Sequence, residues 1–168
     1  LILGDHFDFN RLRPLRYGGT GSNSSSIEQP SFLPDRFESG TLNAAGIAGL
    51  SAGIDYLVSI KESVEGVNAH KRMLVDRFFE GAGALSSCVL PVAADRICTG
   101  VVSFNLAGVS PSDVAMKLCD EFGIMCRAGL HCAPLAHKTM GTFHEGTVRF
   151  GFGVFNTVNE VDAAIEAL

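Results

Sequence analysis

Apolar and polar residues follow one rule before Asn43 and another after it. From Asn43 onward apolar side chains recur at helical spacing, with Ile47, Leu50, Ile54, Leu57 and Val58 on one face. Asn43 itself is placed to cap that helix, since its side-chain oxygen can accept from a free N–H of the first turn. Ala44, Ala45, Gly46, Ala48, Gly49, Ala52 and Gly53 add little bulk, which favours close packing of the helix. The pattern predicts a second helix over 68–81, ending near Gly81. Two runs of strand character follow, 87–92 and 97–106.

Ser110-Pro111-Ser112-Asp113 then opens a third helix. A serine cap, a proline in the first turn and an acid at the third position all suit a helix start. That helix is expected to stop near Gly123. A short strand at 124–127 and another at 147–153 come next. Thr157-Val158-Asn159-Glu160 has the spacing of a capping box. Val161, Ala164, Ile165 and Leu168 line the buried face of the last helix. The order from 43 is α-α-β-β-α-β-β-α, which predicts an α+β domain with helices packed on a short, largely antiparallel sheet.

Residues 1–43 lack such periodicity. The stretch 17–34 is rich in Gly and Ser and holds Pro30 and Pro34, so it reads as extended loop. A free-standing domain rarely opens with so long an irregular segment unless that segment is functional or packs on something else. Leu1 is not a methionine, and Leu-Ile-Leu-Gly reads like the end of a strand. The expected division is therefore 1–43, an irregular stretch that reads as a piece of something longer, and 44–168, a small α+β domain.

Composition narrows the class. Apolar residues make up 46% of 168, enough for a core without disulfides, and charged residues only 18%. A net charge of −5 and the lack of a basic run argue against a nucleic-acid partner. Five cysteines, an odd number without a C-x-x-C pair, point to free thiols in a reducing compartment, hence the cytoplasm. No apolar run approaches the roughly 18–20 residues of a membrane span. The N-terminus lacks the regions of a signal peptide.

The candidate chemistry lies in four places. In Arg127-Ala-Gly-Leu-His-Cys-Ala133, Cys132 stands beside His131 and five residues after an arginine. A thiol so placed can ionise and react, or it can be a buried structural cysteine in a turn. Gly18-Gly19-Thr20-Gly21-Ser22-Asn23-Ser24 can expose N–H groups to a phosphate, or simply be a flexible loop. It is neither a Walker A loop nor a Rossmann fingerprint. Arg36-Phe37-Glu38-Ser39-Gly40-Thr41-Leu42-Asn43 reads as a solvated turn, an ion pair or an anion-binding helix start. Arg149, among apolar residues in a predicted strand, needs a carboxylate from the protein or from a ligand. His131, His137, His144, Cys126 and Cys132 match no metal-site spacing, so no metal is expected.

In this order and at these distances, three stretches resemble the C-terminal part of a cysteine desulfurase of the NifS/SufS-like group. These are Gly18–Ser24, Arg36–Asn43, and Arg127–Ala133 followed by Val148-Arg149-Phe150 and Phe155-Asn156-Thr157. The group belongs to the class V aminotransferase family of enzymes that use pyridoxal 5′-phosphate. The resemblance implies that L-cysteine is converted to L-alanine and that Cys132 carries the sulfur away as a persulfide, with His131 beside it as a catalytic neighbour. It implies that Arg149 holds the substrate carboxylate with support from Arg127. Gly19 and Thr20 match the loop that reaches the cofactor phosphate of the partner subunit, which implies a homodimer. A sulfur-acceptor protein is a possible further partner. Leu130 stands where some relatives have a second histidine. Lys61, Lys71, Lys117 and Lys138 match none of the family's cofactor-binding positions. The resemblance thus assigns residues 1–43 to the end of the large cofactor-binding domain, and the isolated chain is expected to be inactive. Two other readings stay open: a selenocysteine lyase or another class V enzyme, and a non-enzymatic sulfur-carrier or interaction module.

Overall fold

The computed structural model describes residues 2–61, 64–92 and 99–168. The expected strand residues Ile97 and Cys98 lie outside these described residues. The chain divides into two units, Leu1–Ile54 and Asp55–Leu168.

The first unit is largely irregular up to Asn43, as its Gly, Ser and Pro content predicts, and contains two short 3₁₀ turns, Phe9–Arg11 and Asp35–Phe37. Side chains tie the loop together. Gln29 Nε2 donates to the Asp35 carbonyl at 3.0 Å, while its Oε1 accepts from Gly18 N at 3.2 Å. Gly40 N donates to the Gly19 carbonyl at 2.8 Å. Arg36 makes no ion pair among the described residues. Its guanidinium donates to the Leu12 carbonyl at 3.1 Å and lies over the rings of Phe9 and Phe37, at 6.0 and 5.7 Å. Asn43 Oδ1 accepts from Gly46 N at 3.0 Å and caps helix α1 (Ala44–Lys61), the role its position predicts. The apolar face of α1 remains open in this chain: Ile47, Leu50, Ile54, Leu57 and Val58 are 38–66% exposed.

In the second unit the order after α1 is α2 (Val64–Gly83), β1 (Cys88–Val89), β2 (Val101–Leu106), α3 (Pro111–Phe122), β3 (Arg127–Gly129), α4 (Pro134–Met140), β4 (Thr147–Gly151) and α5 (Val158–Glu166). The strands form one sheet in the order β1-β2-β4-β3, and every pairing is antiparallel. The fold is α+β. Three differences from the expected elements have local causes. Strand β3 begins at Arg127 rather than at 124, because Ile124 N donates back to the Leu118 carbonyl at 2.9 Å and belongs to the left-handed Gly123 cap of α3. Strand β1 is only two residues long, and Pro91 has no N–H with which to extend it. Helix α4 is absent from the expected order, although Pro134 at its start and Gly141 after its end are its signals.

One sheet face packs against the helices. Val102 and Phe104 of β2 and Val148 and Phe150 of β4 are buried with Leu74, Val75, Phe78 and Ala82 of α2. Val114 and Leu118 of α3 and Val161 and Ala164 of α5 complete that core. Phe78 lies at its centre, with its ring 5.5 Å from that of Phe104, 5.6 Å from Phe150 and 5.9 Å from Phe152. Arg77 and Asp162 pair at 2.6 Å between α2 and α5, and Thr157 with Glu160 forms the expected capping box of α5.

The ring cluster and the capping box rank two substitutions. Phe78→Ala is expected to cost about 3–5 kcal/mol by denaturant unfolding, against about 1 kcal/mol for Thr157→Ala. The reverse ranking would mean that the aromatic cluster is not what holds the sheet to α2.

Candidate active site

A strand has a side-chain period of two, so the residues between the core positions of β2 and β4 point to the opposite face of the sheet. The register sets Ser103, Arg149 and Arg127 in one row across β2, β4 and β3. In the next row Gly129 faces Thr147. The face that turns away from the helices thus carries two guanidinium groups side by side. Neither Arg127 nor Arg149 has a carboxylate partner among the described residues. Like charges in such a row repel one another, and an anion between them removes the penalty. Arg149 is half-buried, which makes an anion more valuable to it than to an exposed arginine.

Just beyond Gly129 the chain reverses. Ala133 N donates to the Leu130 carbonyl at 2.8 Å, closing a four-residue turn around His131 and Cys132. Both central residues have positive φ, 50° and 59°. That is the combination of a type I′ turn, which Asn and Gly adopt far more readily than His and Cys. The strained turn displays the Cys132 thiol to solvent instead of burying it. The structural-cysteine reading of this position is therefore not the one the geometry supports.

His131 points the other way. Its Nε2–H donates to the Thr147 carbonyl at 3.1 Å, which leaves Nδ1 as the acceptor; that atom is buried without a partner. Burial pushes the imidazole below its ordinary pKa, and the charges of Arg149, His137 and Arg127 push it further the same way, against the raising effect of the Thr147 hydrogen bond. His131 is thus held neutral beside the cationic row. His137, at 2% exposure, packs its ring 5.9 Å from that of His131, and its Nδ1 lies 2.7 Å from Thr142 Oγ1.

The structure therefore brings Cys132, His131, Arg127 and Arg149 together on one face and one turn of the second unit. Gly19 and Thr20 belong to the first unit. Thr147 and Thr142 escaped the sequence reading, and His137 entered it only as a rejected metal ligand. Thr147 acts through its main-chain carbonyl, which carries no side-chain signal, and His137 sits on the helix that the pattern missed. Among the described residues no three His, Cys, Asp or Glu side chains converge as metal ligands. No described helix is long and apolar enough to cross a membrane.

The Gly19–Thr20 loop surrounds a hollow of about 460 Å³ whose lining includes Thr20, Asn23, Ser24 and Ser26. Thr20 Oγ1 and Ser22 Oγ lie 2.9 Å apart, and a side chain on Gly19 would meet nothing within 4 Å. Hydroxyls and open backbone around such a hollow suit a phosphate. The residues present fit the phosphate end of pyridoxal phosphate and nothing more of it, since the first unit contains no lysine.

Replacing His131 by Asn relieves the left-handed backbone and removes a group with a depressed pKa. A depressed histidine binds fewer protons folded than unfolded, so its contribution to stability is complete above pH 6.5 and is lost as pH falls below it. The stability of His131→Asn relative to the parent is therefore expected to grow as pH falls from about 7 to about 5.5. A constant difference in urea midpoint over that range would contradict the neutral-imidazole assignment.

Residues 3–164 match the family model described as Aminotransferase class-V. A probable cysteine desulfurase of Pyrococcus abyssi is 40% identical over 138 residues, which cover 80% of this chain and 32% of that protein. A cysteine desulfurase of Haloferax volcanii is 31% identical over 171 residues, 99% of this chain and 38% of the relative. Among solved structures, the apo cysteine desulfurase from Thermococcus onnurineus NA1 superposes with a TM-score of 0.69 at 39% identity, over 79% of this chain and 32% of that one. The cysteine desulfurase CsdA (S-sulfonic acid) from Escherichia coli gives a TM-score of 0.72 at 28% identity, over 92% of this chain and 37% of that one. The chain thus spans 32% to 38% of the length of these relatives. A match running from residue 3 to residue 164 takes in both units: the chain belongs to the aminotransferase class-V family, and the relatives it resembles there are cysteine desulfurases.

Proposed function

We propose that this chain is the C-terminal part of a pyridoxal-phosphate-dependent cysteine desulfurase, in which Cys132 removes sulfur from L-cysteine and leaves L-alanine. The observation that carries the reading is the pair of guanidinium groups, Arg127 and Arg149, without a carboxylate among the described residues and beside an exposed thiol on a strained turn. A free amino acid offers the carboxylate those cations lack. Arg149, fixed in β4, takes it, and Arg127 adds a second positive charge from the facing strand. A substrate so anchored is oriented for attack by a nucleophile on the adjoining turn.

The Cys132 thiolate attacks the substrate sulfur. The new S–S bond forms as the C–S bond of the substrate breaks, the electron pair stays with the substrate carbon, and protonation of that carbon gives alanine. The cofactor, when bound, supplies an electron sink that makes the substrate carbon skeleton able to release and accept that pair. Solvent exposure of Cys132 lets the persulfide reach an acceptor protein outside the pocket.

In this reading residues 1–43 end the large cofactor-binding domain and residues 44–168 form the small domain. Thr20 and the backbone around Gly19 hold the phosphate of the partner's cofactor. The exposed apolar face of α1 supports a homodimer, since so large an apolar surface is unusual on a monomer. The free cysteines agree with a cytoplasmic enzyme. The isolated chain is inactive, because none of its four lysines occupies the family's cofactor position.

Two substitutions in the full-length enzyme test the assignment. Cys132→Ala is expected to lower alanine formation from cysteine by at least about a hundredfold. Arg149→Lys is expected to raise KM for cysteine about tenfold, the equivalent of roughly 1.4 kcal/mol of lost bidentate contact. Undiminished turnover in the first variant would refute the nucleophile, and an unchanged KM in the second would refute the anchor.

A further inference from the structure

We propose that Asn105 is a positioning residue for the Cys132 turn, acting through Gly146 and Thr147; the role rests on the sulfur-transfer reading of Cys132 given above. Asn105 lies near the end of β2 on the polar face of the sheet, two residues beyond Ser103. Its Nδ2 donates to the Gly146 carbonyl at 3.0 Å.

Gly146 is where the cysteine turn rests on the sheet. Its φ is +84°, and a Cβ placed on it would fall on the carbonyl carbon and oxygen of Gly129. The two backbones can approach this closely only because Gly146 has no side chain. Gly129, at φ +106°, is the last residue of β3 and leads directly into the Leu130–Ala133 turn. The residue after Gly146 is Thr147, whose carbonyl accepts from His131 Nε2. Gly146 therefore borders the turn on two sides: under its entry through Gly129, and under its first central residue through Thr147. Asn105 is the side chain that fixes Gly146 from the neighbouring strand.

The amide is kept at a cost. Asn105 Oδ1 is buried and has no hydrogen-bond partner among the described residues. An unsatisfied buried acceptor destabilises a fold, and a β-branched apolar residue would serve a sheet position better on stability alone. What such a residue lacks is an N–H directed at Gly146. Strain in the turn gives that bond its purpose, because two consecutive left-handed residues persist only where their surroundings over-determine them. Loss of the Asn105 bond frees Gly146, then Gly129 and the Thr147 carbonyl, and the thiol moves off its line to the substrate sulfur.

The test uses the full-length enzyme with L-cysteine. Asn105→Asp keeps the size of the side chain and removes the N–H donor. The first-turnover rate of alanine formation is expected to fall about tenfold, a loss in keeping with sub-ångström misplacement of a nucleophile. KM for cysteine is expected to stay within about twofold, because the Arg149 anchor is untouched. Exchange of the Ala133 amide, which closes the turn, is expected to accelerate about tenfold by hydrogen-exchange mass spectrometry, with the core of α2 unaffected. Unchanged rate and exchange would overturn the proposal. So would a raised KM with unchanged exchange, which puts Asn105 on the substrate instead. If the parent enzyme forms no alanine, the sulfur-transfer reading fails, and the Ala133 exchange alone then decides whether Asn105 positions the turn. Should Asn105→Asp fail to fold, Asn105→Ser, whose hydroxyl is too short to reach Gly146, carries the same expectations.

Discussion

Strand β4 joins the two halves of this molecule's chemistry through its pleat. Val148 and Phe150 point into the helical core, and Thr147 and Arg149, which alternate with them, point to the other face. The period is fixed at two, so a one-residue slip of β4 would bury Arg149 among phenylalanines and expose the core. The packing of Phe78 on Phe104 and Phe150 therefore does more than stabilise the fold. It decides which way Arg149 points. The same register aligns Arg127 with Arg149 and sets Gly129 against Thr147, so the cationic row and the entry to the cysteine turn are consequences of core packing on the far side of the sheet.

On that scaffold the site departs from what stability alone would choose. Among the described residues, two adjacent arginines face each other without a counter-ion and His131 Nδ1 is buried without a donor, and His131 and Cys132 occupy backbone angles suited to Asn and Gly. Each departure is unfavourable by itself. Together they set a cationic row that an anion would neutralise beside an exposed thiol. Concentrations of strain and unmet polarity of this kind mark functional sites, and here they gather within one turn and one row of a sheet.

Much of this was legible in the residues. The caps at Asn43, Ser110 and Thr157 predicted three helix starts that the structure bears out, and the apolar periodicity gave the α+β architecture. The cysteine loop announced itself through Arg127, Gly129, His131 and Cys132. What stayed hidden depends on the main chain or on weak periodicity. Helix α4 is seven residues long with only His137 buried, so no apolar stripe reveals it. The start of β3 was displaced by a cap bond from Ile124 to Leu118 that no propensity encodes. Thr147 serves through its carbonyl and Gly146 through the absence of a Cβ, and neither can be ranked above other threonines and glycines from sequence alone. The apolar stripe of α1 was legible, but a stripe carries no signal of the surface it packs against.

The account stands on Cys132 as the atom that accepts sulfur. The direct test is to treat the full-length enzyme with one equivalent of L-cysteine, quench it with an alkylating agent, and map the modified peptides by mass spectrometry. The account predicts one additional sulfur on the peptide carrying Cys132 and none on those carrying Cys88, Cys98, Cys119 or Cys126. Alanine released with the extra sulfur on another cysteine, or on none, would contradict it.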